Sequence, residues 1–308
     1  MALYKKKQKN QKPKQQQQPV KQSKKTSVPL LIVLFFIGLA VLLYPAVSNW
    51  LSTRRSVAQI NVYEQDISAL SKDFIDGEWE KAVDYNNSLK GDPVKDPFIP
   101  GSGKALPQNY LNVLNVSGIM CTIEIPSINV NLPIYHGVSD EVLQKGVGHM
   151  EGTALPIGGK GTHSILTGHT GLPTAHLFTD LIDLVEGDKF YIHVLGRELV
   201  YQVDQIKVIL PDDISDLDAY GDEDYVTLIT CTPYGVNSHR LLVRGHRVYQ
   251  ISKSITLQAN LSIQFTIVLV LAVLGILLIL LVFIWRWYQW HKQKYPQKHK
   301  KRPKNKRK

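Results

Sequence analysis

A cysteine and an arginine nine residues apart carry the most chemistry in this sequence. Cys231 ends a β-rich run, a turn-rich segment with Pro233 and Gly235 follows, and a second β-rich run starts at Arg240. A cysteine attacks as its thiolate, which needs positive charge nearby. An arginine supplies that charge, together with a fork of donors for a substrate carbonyl or an oxyanion. The pattern is typical of nucleophilic acyl transfer, and a plain strand-end cysteine is the alternative.

Acyl transfer also needs a group that moves protons, and histidine is the usual one because its pKa lies near neutrality. His169 follows the β-rich run 164–167 and stands between glycines in Thr-Gly-His-Thr-Gly. Flanking glycines leave an imidazole accessible at a strand end, so His169 is the first candidate. On spacing alone, His136 and His239 remain rivals.

The second thiol, Cys121, has a different setting. It lies inside the apolar run 119–125, with no glycine turn or arginine beside it. This setting predicts a buried structural cysteine. A disulfide with Cys231 is chemically possible in an exterior domain, but it would disable the proposed nucleophile, and we expect both thiols to be reduced.

Nothing in the sequence indicates a metal or another cofactor, and we expect none. His-Glu-x-x-His and paired-cysteine spacings are absent. Acidic residues concentrate in 212–218 and 222–224, but these stretches lack the glycine and closing glutamate of an EF-hand loop. They are typical of a solvated acidic face.

Charge and hydropathy predict the topology of the chain. The 308 residues carry a net charge of +10, yet the nine lysines of residues 1–27 and the eleven basic residues of 286–308 leave a middle part of net charge −10. Residues 28–47 and 265–285 are uncharged and mostly apolar, and each is long enough to cross a bilayer as a helix. The positive-inside rule places both termini in the cytoplasm and the middle outside. The basic tails suit anionic lipid rather than nucleic acid, and a cleaved signal peptide is the alternative for the first segment.

The exterior part reads as a helical segment followed by β structure. Residues 51–90 show helical spacing with an interruption at Gly77, and residues 91–108 form a proline- and glycine-rich loop. From residue 111, short apolar runs recur between Gly, Pro and Asp clusters, which predicts a closed antiparallel barrel of seven or eight strands with short helices near 140–145 and 174–183. The predicted organisation is a basic cytoplasmic tail (1–27), a transmembrane helix (28–47), a helical segment and loop (48–110), the β-barrel (111–250), a linker (251–264), a second transmembrane helix (265–285) and a second basic cytoplasmic tail (286–308).

The stretch from Cys231 to Arg240, read as Cys-Thr-Pro-Tyr-Gly-Val-Asn-Ser-His-Arg, with Thr-Gly-His169 upstream, resembles the sortases, the cell-wall transpeptidases of Gram-positive bacteria. Residues 123–137 also look like the early strands of that family. The second apolar segment and the tripeptide Asp96-Pro97-Phe98 resemble class C, the pilin-polymerising sortases. The resemblance covers roughly residues 55–250.

The resemblance implies a sortase β-barrel and a defined reaction. Cys231 would attack the Thr carbonyl of a Leu-Pro-x-Thr-Gly-like signal on a pilin or surface protein, His169 would transfer protons, and Arg240 would bind and polarise the substrate. A lysine amine on another pilin subunit would resolve the thioester. Asp96, Pro97 and Phe98 would form a lid over the site, with Asp96 against Arg240 and Phe98 over Cys231. The alternatives are a sortase of another class that anchors proteins singly to the cell wall, and a non-enzymatic scaffold or adhesin domain.

Overall fold

The computed structural model describes residues 28–89, residues 106–249 apart from positions 212, 214 and 218–220, and residues 273, 277, 280 and 283–289. The chain divides into two units, Met1–Tyr249 and Gln250–Lys308. In the second unit, the described residues 283–289 are helical.

The described part of the first unit starts with two long helices. Helix α1 runs without a break over Val28–Ala69, and α2 covers Lys72–Ser88. The predicted interruption at Gly77 is wrong, because Gly77 lies inside α2. The break falls at residues 70 and 71 instead, where the Ser71 hydroxyl accepts a hydrogen bond from the Phe74 amide and caps the new helix.

Within the described part of residues 106–249, eight strands and two short helices follow. The helices are α3 (Gln108–Leu111) and α4 (Asp140–Leu143), and 3₁₀ turns lie at Pro126–Ile128 and Thr179–Asp183. The strands are β1 (Cys121–Ile125), β2 (Val130–His136), β3 (Val147–His149), β4 (Thr162–Thr167), β5 (Lys189–Val194), β6 (Arg197–Ile209), β7 (Asp224–Thr232) and β8 (His239–Arg247). Every strand predicted from an apolar run is present. The remaining strand, β3, has only three residues, and no apolar run indicated it.

The strands close into a barrel in the order β1-β2-β3-β4-β7-β8-β6-β5, which confirms the predicted barrel. Six of the eight neighbouring pairs are antiparallel, whereas β2–β3 and β4–β7 are parallel. Alternation of apolar residues predicts strands but not their partners, so these two parallel pairs were not foreseen. The β4–β7 pair turns out to position the candidate site.

The strand directions define two ends of the barrel. Strands β4, β6 and β7 finish, and β5 and β8 begin, at the end that carries Cys231, called here the Cys231 end. At the opposite end, β5 finishes and β1 and β6 begin. The barrel interior is filled by fully buried side chains such as Ile123, Ile134 and Val243.

Helix α1 packs along the barrel beside β2 and belongs to the same core. Its Tyr63 and Ile67 are buried in that core. The Tyr63 hydroxyl donates to the Met120 carbonyl at 3.3 Å and accepts from the Leu195 amide at 3.2 Å. These bonds tie α1 to the opposite end of the barrel, since Met120 precedes β1 and Leu195 follows β5.

Candidate active site

Cys231 and Arg240 are direct cross-strand partners in the β7–β8 ladder. Opposed residues of an antiparallel pair point to the same face of the sheet. Residues at alternate positions of β7 and β8, such as Leu228 and Leu241, belong to the interior core. Cys231 and Arg240 therefore lie on the outer face of the barrel, and both are buried, with 9% and 7% of their surface exposed.

His169 reaches the other side of Cys231 through the parallel β4–β7 pair. Thr167, the last residue of β4, is level with Ile229 of β7. The pairing continues past the strand end, because the Gly168 amide donates to the Ile229 carbonyl at 3.0 Å and the Thr230 hydroxyl donates to the Gly168 carbonyl at 2.8 Å. Two residues beyond Thr167, the same register brings His169 level with Cys231. Histidine, cysteine and arginine thus stand on three adjacent chain segments.

A small apolar cluster forms the floor beneath these residues. Ile229 and Leu242 are cross-strand partners, two residues along the ladder from Cys231 and Arg240. They pack with Met150, Ile165 and Leu217. All five are buried. An apolar floor excludes water on that side, which strengthens the attraction between a thiolate at Cys231 and a cation beside it.

The guanidinium of Arg240 is fixed by its own turn. Its Nη1 donates to the Asn237 carbonyl at 3.2 Å and to the His239 carbonyl at 3.1 Å. An arginine held in this way loses little side-chain freedom when it binds an oxyanion. Arg240 is therefore a preorganised donor beside the thiol.

The half-buried imidazole of His169 feels two opposing influences. Burial lowers its pKa below the ordinary value, and the negative charge of Asp140 at the start of α4 acts in the raising direction. The net result is a lowered pKa, so the neutral form predominates at pH 7. The sequence did not identify Asp140 as a neighbour of His169. The feature that could have drawn attention to it is the Ser139-Asp140 pair, which is typical of a helix start.

The backbone around His169 is anchored by the loop that follows. The His169 carbonyl accepts from the Phe178 amide at 3.1 Å, and a Cβ on Gly168 would come within 2.6 Å of the Phe178 ring. Only a glycine lets the chain pass Phe178 this closely. Phe178, which sequence reasoning missed because it reads as an ordinary core residue, therefore sets the position of the histidine.

The rival residues have other surroundings. His136 is buried at the end of β2, two residues after the core residue Ile134, and its Nε2 lies 2.7 Å from the Val113 carbonyl. His239 precedes Arg240 on β8 and so faces away from the outer surface that carries Cys231; its Nδ1 contacts the Ser238 hydroxyl at 2.8 Å. Neither shares the face of Cys231 as His169 does.

Cys121 is fully buried, and this burial raises the pKa of its thiol well above the ordinary value. Neither cysteine is part of a disulfide, so the disulfide alternative is wrong. Among the residues that the structure describes, no group of three His, Cys, Asp or Glu side chains could hold a metal ion. Asp96, Pro97 and Phe98 lie outside the described residues.

Comparisons with known proteins agree with this geometry. Residues 123–248 match the family model of the sortase domain. The crystal structure of sortase C-1 from Streptococcus pneumoniae is 47% identical in sequence and superposes with a TM-score of 0.61. The match includes 63% of this chain and 100% of the pneumococcal chain. Sortase C-1 of Actinomyces oris is 49% identical, covering 58% of this chain and 99% of that chain with a TM-score of 0.57. Sortase A of Bacillus anthracis is 30% identical over 135 residues, which are 44% of this chain and 62% of that relative.

The chain therefore belongs to the sortase family of cysteine transpeptidases, and within it to class C. The resemblance seen in the cysteine-to-arginine stretch and the barrel that it implied are both confirmed.

Proposed function

We propose that this protein is a membrane-anchored transpeptidase that cleaves a Leu-Pro-x-Thr-Gly-like sorting signal between Thr and Gly and joins the Thr to a lysine amine of a pilin subunit. The observation that carries the proposal is the register that sets His169 and Arg240 level with Cys231, one on each side of β7. One face then holds a nucleophile, a proton carrier and a fixed cation.

In the acylation step, the Cys231 thiolate attacks the Thr carbonyl carbon. The carbonyl oxygen becomes an oxyanion, and the guanidinium of Arg240 stabilises its charge. The Thr–Gly C–N bond then breaks, and protonated His169 gives its proton to the departing glycine amine. The products are a Cys231 thioester and a free glycine-side peptide.

In the transfer step, neutral His169 takes a proton from the incoming lysine amine while the amine attacks the thioester carbonyl. The tetrahedral intermediate collapses, the C–S bond breaks, and Cys231 leaves as thiolate. The lowered pKa of His169 suits this half of the reaction, because it keeps the base form populated at neutral pH. The new bond is an isopeptide, so repeated cycles extend a polymer.

The lid remains a prediction that rests on the class C resemblance. Asp96 would contact Arg240 and Phe98 would lie over Cys231, and the substrate would displace both. Replacing Asp96 with Ala would remove the attraction for the guanidinium and should speed acylation, because less free energy is needed to open the site.

Anchorage in the membrane rests on α1. Within the described residues, one helix, Ile32–Ala69, is long and apolar enough to cross a bilayer, and most large side chains in its first half are exposed. Exposed apolar side chains over this length are favourable in lipid and costly in water. The second apolar segment, 265–285, lies largely outside the described residues. We propose that it also spans, with both termini cytoplasmic and the barrel outside.

The accepted amine distinguishes the proposal from its alternatives. Full-length protein in detergent is incubated with a sorting-signal peptide and a folded pilin domain, and the products are identified by mass spectrometry. An isopeptide bond to a pilin lysine is expected. A cell-wall peptide amine is added as a competing acceptor, and exclusive transfer to it would assign the single-anchoring activity. No cleavage of the signal peptide by the folded protein would leave only a scaffold role.

A further inference from the structure

The exposed large apolar side chains of the barrel are not spread over its surface. Within the described part of residues 106–247, they lie in the β4–β5 connection, at the end of β6 and in the β7–β8 turn, with exposures between 59% and 69%. They are Ile182, Val185, Val208, Leu210, Tyr234 and Val236. All three places belong to the Cys231 end. At the opposite end, Tyr249 is exposed where the chain has already left β8.

Helix α1 leaves the barrel at this same Cys231 end. The Asn49 side-chain oxygen accepts from the His176 amide at 2.9 Å, and His176 lies in the β4–β5 connection that also carries Ile182 and Val185. Fourteen residues further along α1, Tyr63 is tied to the opposite end, and at 1.5 Å per residue the two contacts are about 21 Å apart along the helix. The helix therefore runs the length of the barrel, with its apolar half beyond the Cys231 end.

The apolar segment of α1 stops two residues before Asn49. One helical residue advances about 1.5 Å, so the His176 loop is held within a few ångströms of the level at which the apolar segment ends. Trp50 is exposed at this level, and the Arg54 guanidinium stacks on its ring at 4.6 Å. Tryptophan and arginine are residues of the lipid–water boundary.

The two outermost loops of the Cys231 end form one continuous surface. Tyr234 of the β7–β8 turn lies against Gly171, where an added Cβ would be 3.0 Å from its ring. The Gly171 amide donates to the Thr179 hydroxyl at 3.1 Å, three residues before Ile182. We call the exposed set Ile182, Val185, Tyr234 and Val236 the rim patch.

We propose that the rim patch rests on the outer leaflet of the membrane, so that the Cys231 end of the barrel is held at the lipid surface. The proposal rests on the anchorage of α1 proposed above. On a domain free in solution, four apolar side chains would bind a bilayer only weakly. Because α1 anchors the barrel in the same bilayer, the contact becomes intramolecular and needs little affinity of its own. Asp180 and Asp183 flank Ile182, so the contact is apolar and shallow and does not depend on anionic lipid.

The test places a photoreactive residue, p-benzoylphenylalanine, on either side of the barrel. Full-length protein with this residue at Ile182 or Val236 is reconstituted in phosphatidylcholine nanodiscs and irradiated, and adducts are identified by mass spectrometry. The matched control carries it at Glu198, an exposed position at the start of β6 on the opposite end. Lipid adducts are expected at 182 and 236, at least tenfold above those at 198, and unchanged in 1 M salt.

Equal labelling at the three positions, adducts to a second copy of the chain, or no lipid adduct at 182 and 236 would overturn the proposal. Flotation of the same sample with vesicles after an alkaline wash tests the anchor separately. A chain that floats without lipid adducts refutes the rim contact alone, whereas a chain that does not float refutes the anchorage. If the bulky residue prevents folding, spin labels at 182 and 198 in the Cys231→Ser protein report the same contrast through access to oxygen and to a nickel chelate.

Discussion

Arg240 stands directly opposite Cys231 across the β7–β8 ladder, with its guanidinium held by the carbonyls of Asn237 and His239. The cation is thus placed by backbone pairing and turn geometry before any substrate arrives. Such preorganisation is what makes a donor effective in a transition state. In the proposed reaction, this pair forms the acyl-binding side of the site, and His169 forms the other.

Replacement of Arg240 by Lys should slow acylation of Cys231 about 100-fold or more, the usual effect of losing one oxyanion donor. Lysine keeps the charge but has no planar fork to span the two carbonyls and the substrate. Single-turnover acylation by a sorting-signal peptide measures the rate. Arg244→Lys is the matched control, because Arg244 lies on the same face of β8 but pairs with Asp204. An acylation rate in Arg240→Lys equal to that of Arg244→Lys would remove Arg240 from the chemistry.

Replacement of Asp140 by Asn should lower the pKa of His169 further. The Asp140 carboxylate favours the imidazolium, so its loss favours the neutral ring. Less imidazolium at neutral pH means a slower departure of the glycine amine, and the deficit should grow as pH rises. NMR titration of the histidine ring and the pH profile of acylation report the two effects. Glu141→Gln, whose native carboxylate pairs with Lys145, should leave both unchanged, and an upward shift in Asp140→Asn would contradict the assignment.

Replacement of Gly168 by Ala should displace His169. The new Cβ would meet the Phe178 ring at 2.6 Å, and the Gly168 amide and carbonyl are both hydrogen-bonded. A misplacement of about 1 Å costs on the order of 100-fold in rate, and the overpacking costs about 1–3 kcal/mol of stability.

The matched glycine is Gly77, whose added Cβ meets nothing within 4 Å inside α2. Gly77→Ala should leave activity intact and raise stability by up to about 1 kcal/mol. Shortening the clashing ring in the double variant Gly168→Ala/Phe178→Leu should recover part of the lost rate. Full activity of Gly168→Ala alone would show that Phe178 does not set the histidine position.

A buried histidine that the proposed reaction does not use should make stability depend on pH. His149 is fully buried and its pKa is lowered to about 3, chiefly by burial. Its Nε2 donates to the Ala154 carbonyl at 2.9 Å, and its Nδ1 lies 2.9 Å from the Tyr110 hydroxyl, which accepts from the Gly137 amide. Protonation of Nδ1 would charge a site that water does not reach.

Because the folded pKa lies below the unfolded value of 6.5, this contribution is complete above pH 6.5 and is lost as pH falls toward 3. The expected slope is about 1.4 kcal/mol per pH unit. Urea titrations of the protein in detergent between pH 4 and pH 8 measure it. His149→Gln should be less stable at pH 8 and should lose that slope, whereas replacement of the exposed His176 by Gln should keep it. An unchanged slope in His149→Gln would assign the acid lability elsewhere.

Local pattern predicted the elements of this fold better than their partners. Seven strands follow from apolar runs, because each run fills one stretch of the core, but Val147–His149 is too short to stand out. The helix break at 70–71 depends on a single serine cap. In the sequence, Gly77 six residues later was the more obvious position for a break. Parallel pairing of β4 with β7 joins segments about 60 residues apart, and no local spacing encodes it.

The residues of the site divide in the same way, into those that local spacing reveals and those that only the tertiary fold brings together. Cys231 and Arg240 are close in sequence and are joined by a turn, so their pairing could be predicted from spacing. His169 could be ranked first by its glycine setting, but its place beside Cys231 depends on the β4–β7 pair. Asp140 and Phe178 act through tertiary contacts only, which is why residue types did not reveal them.

The most direct test of the account is intact-mass spectrometry of the full-length protein in detergent with a Leu-Pro-x-Thr-Gly peptide. We expect an added mass equal to the peptide through Thr, present in the native protein and in Cys121→Ala, and absent in Cys231→Ala. Cys121 is the matched thiol, since it is fully buried and its raised pKa keeps it protonated. The same adduct in Cys231→Ala, or its loss only in Cys121→Ala, would contradict the assignment of Cys231 as the nucleophile.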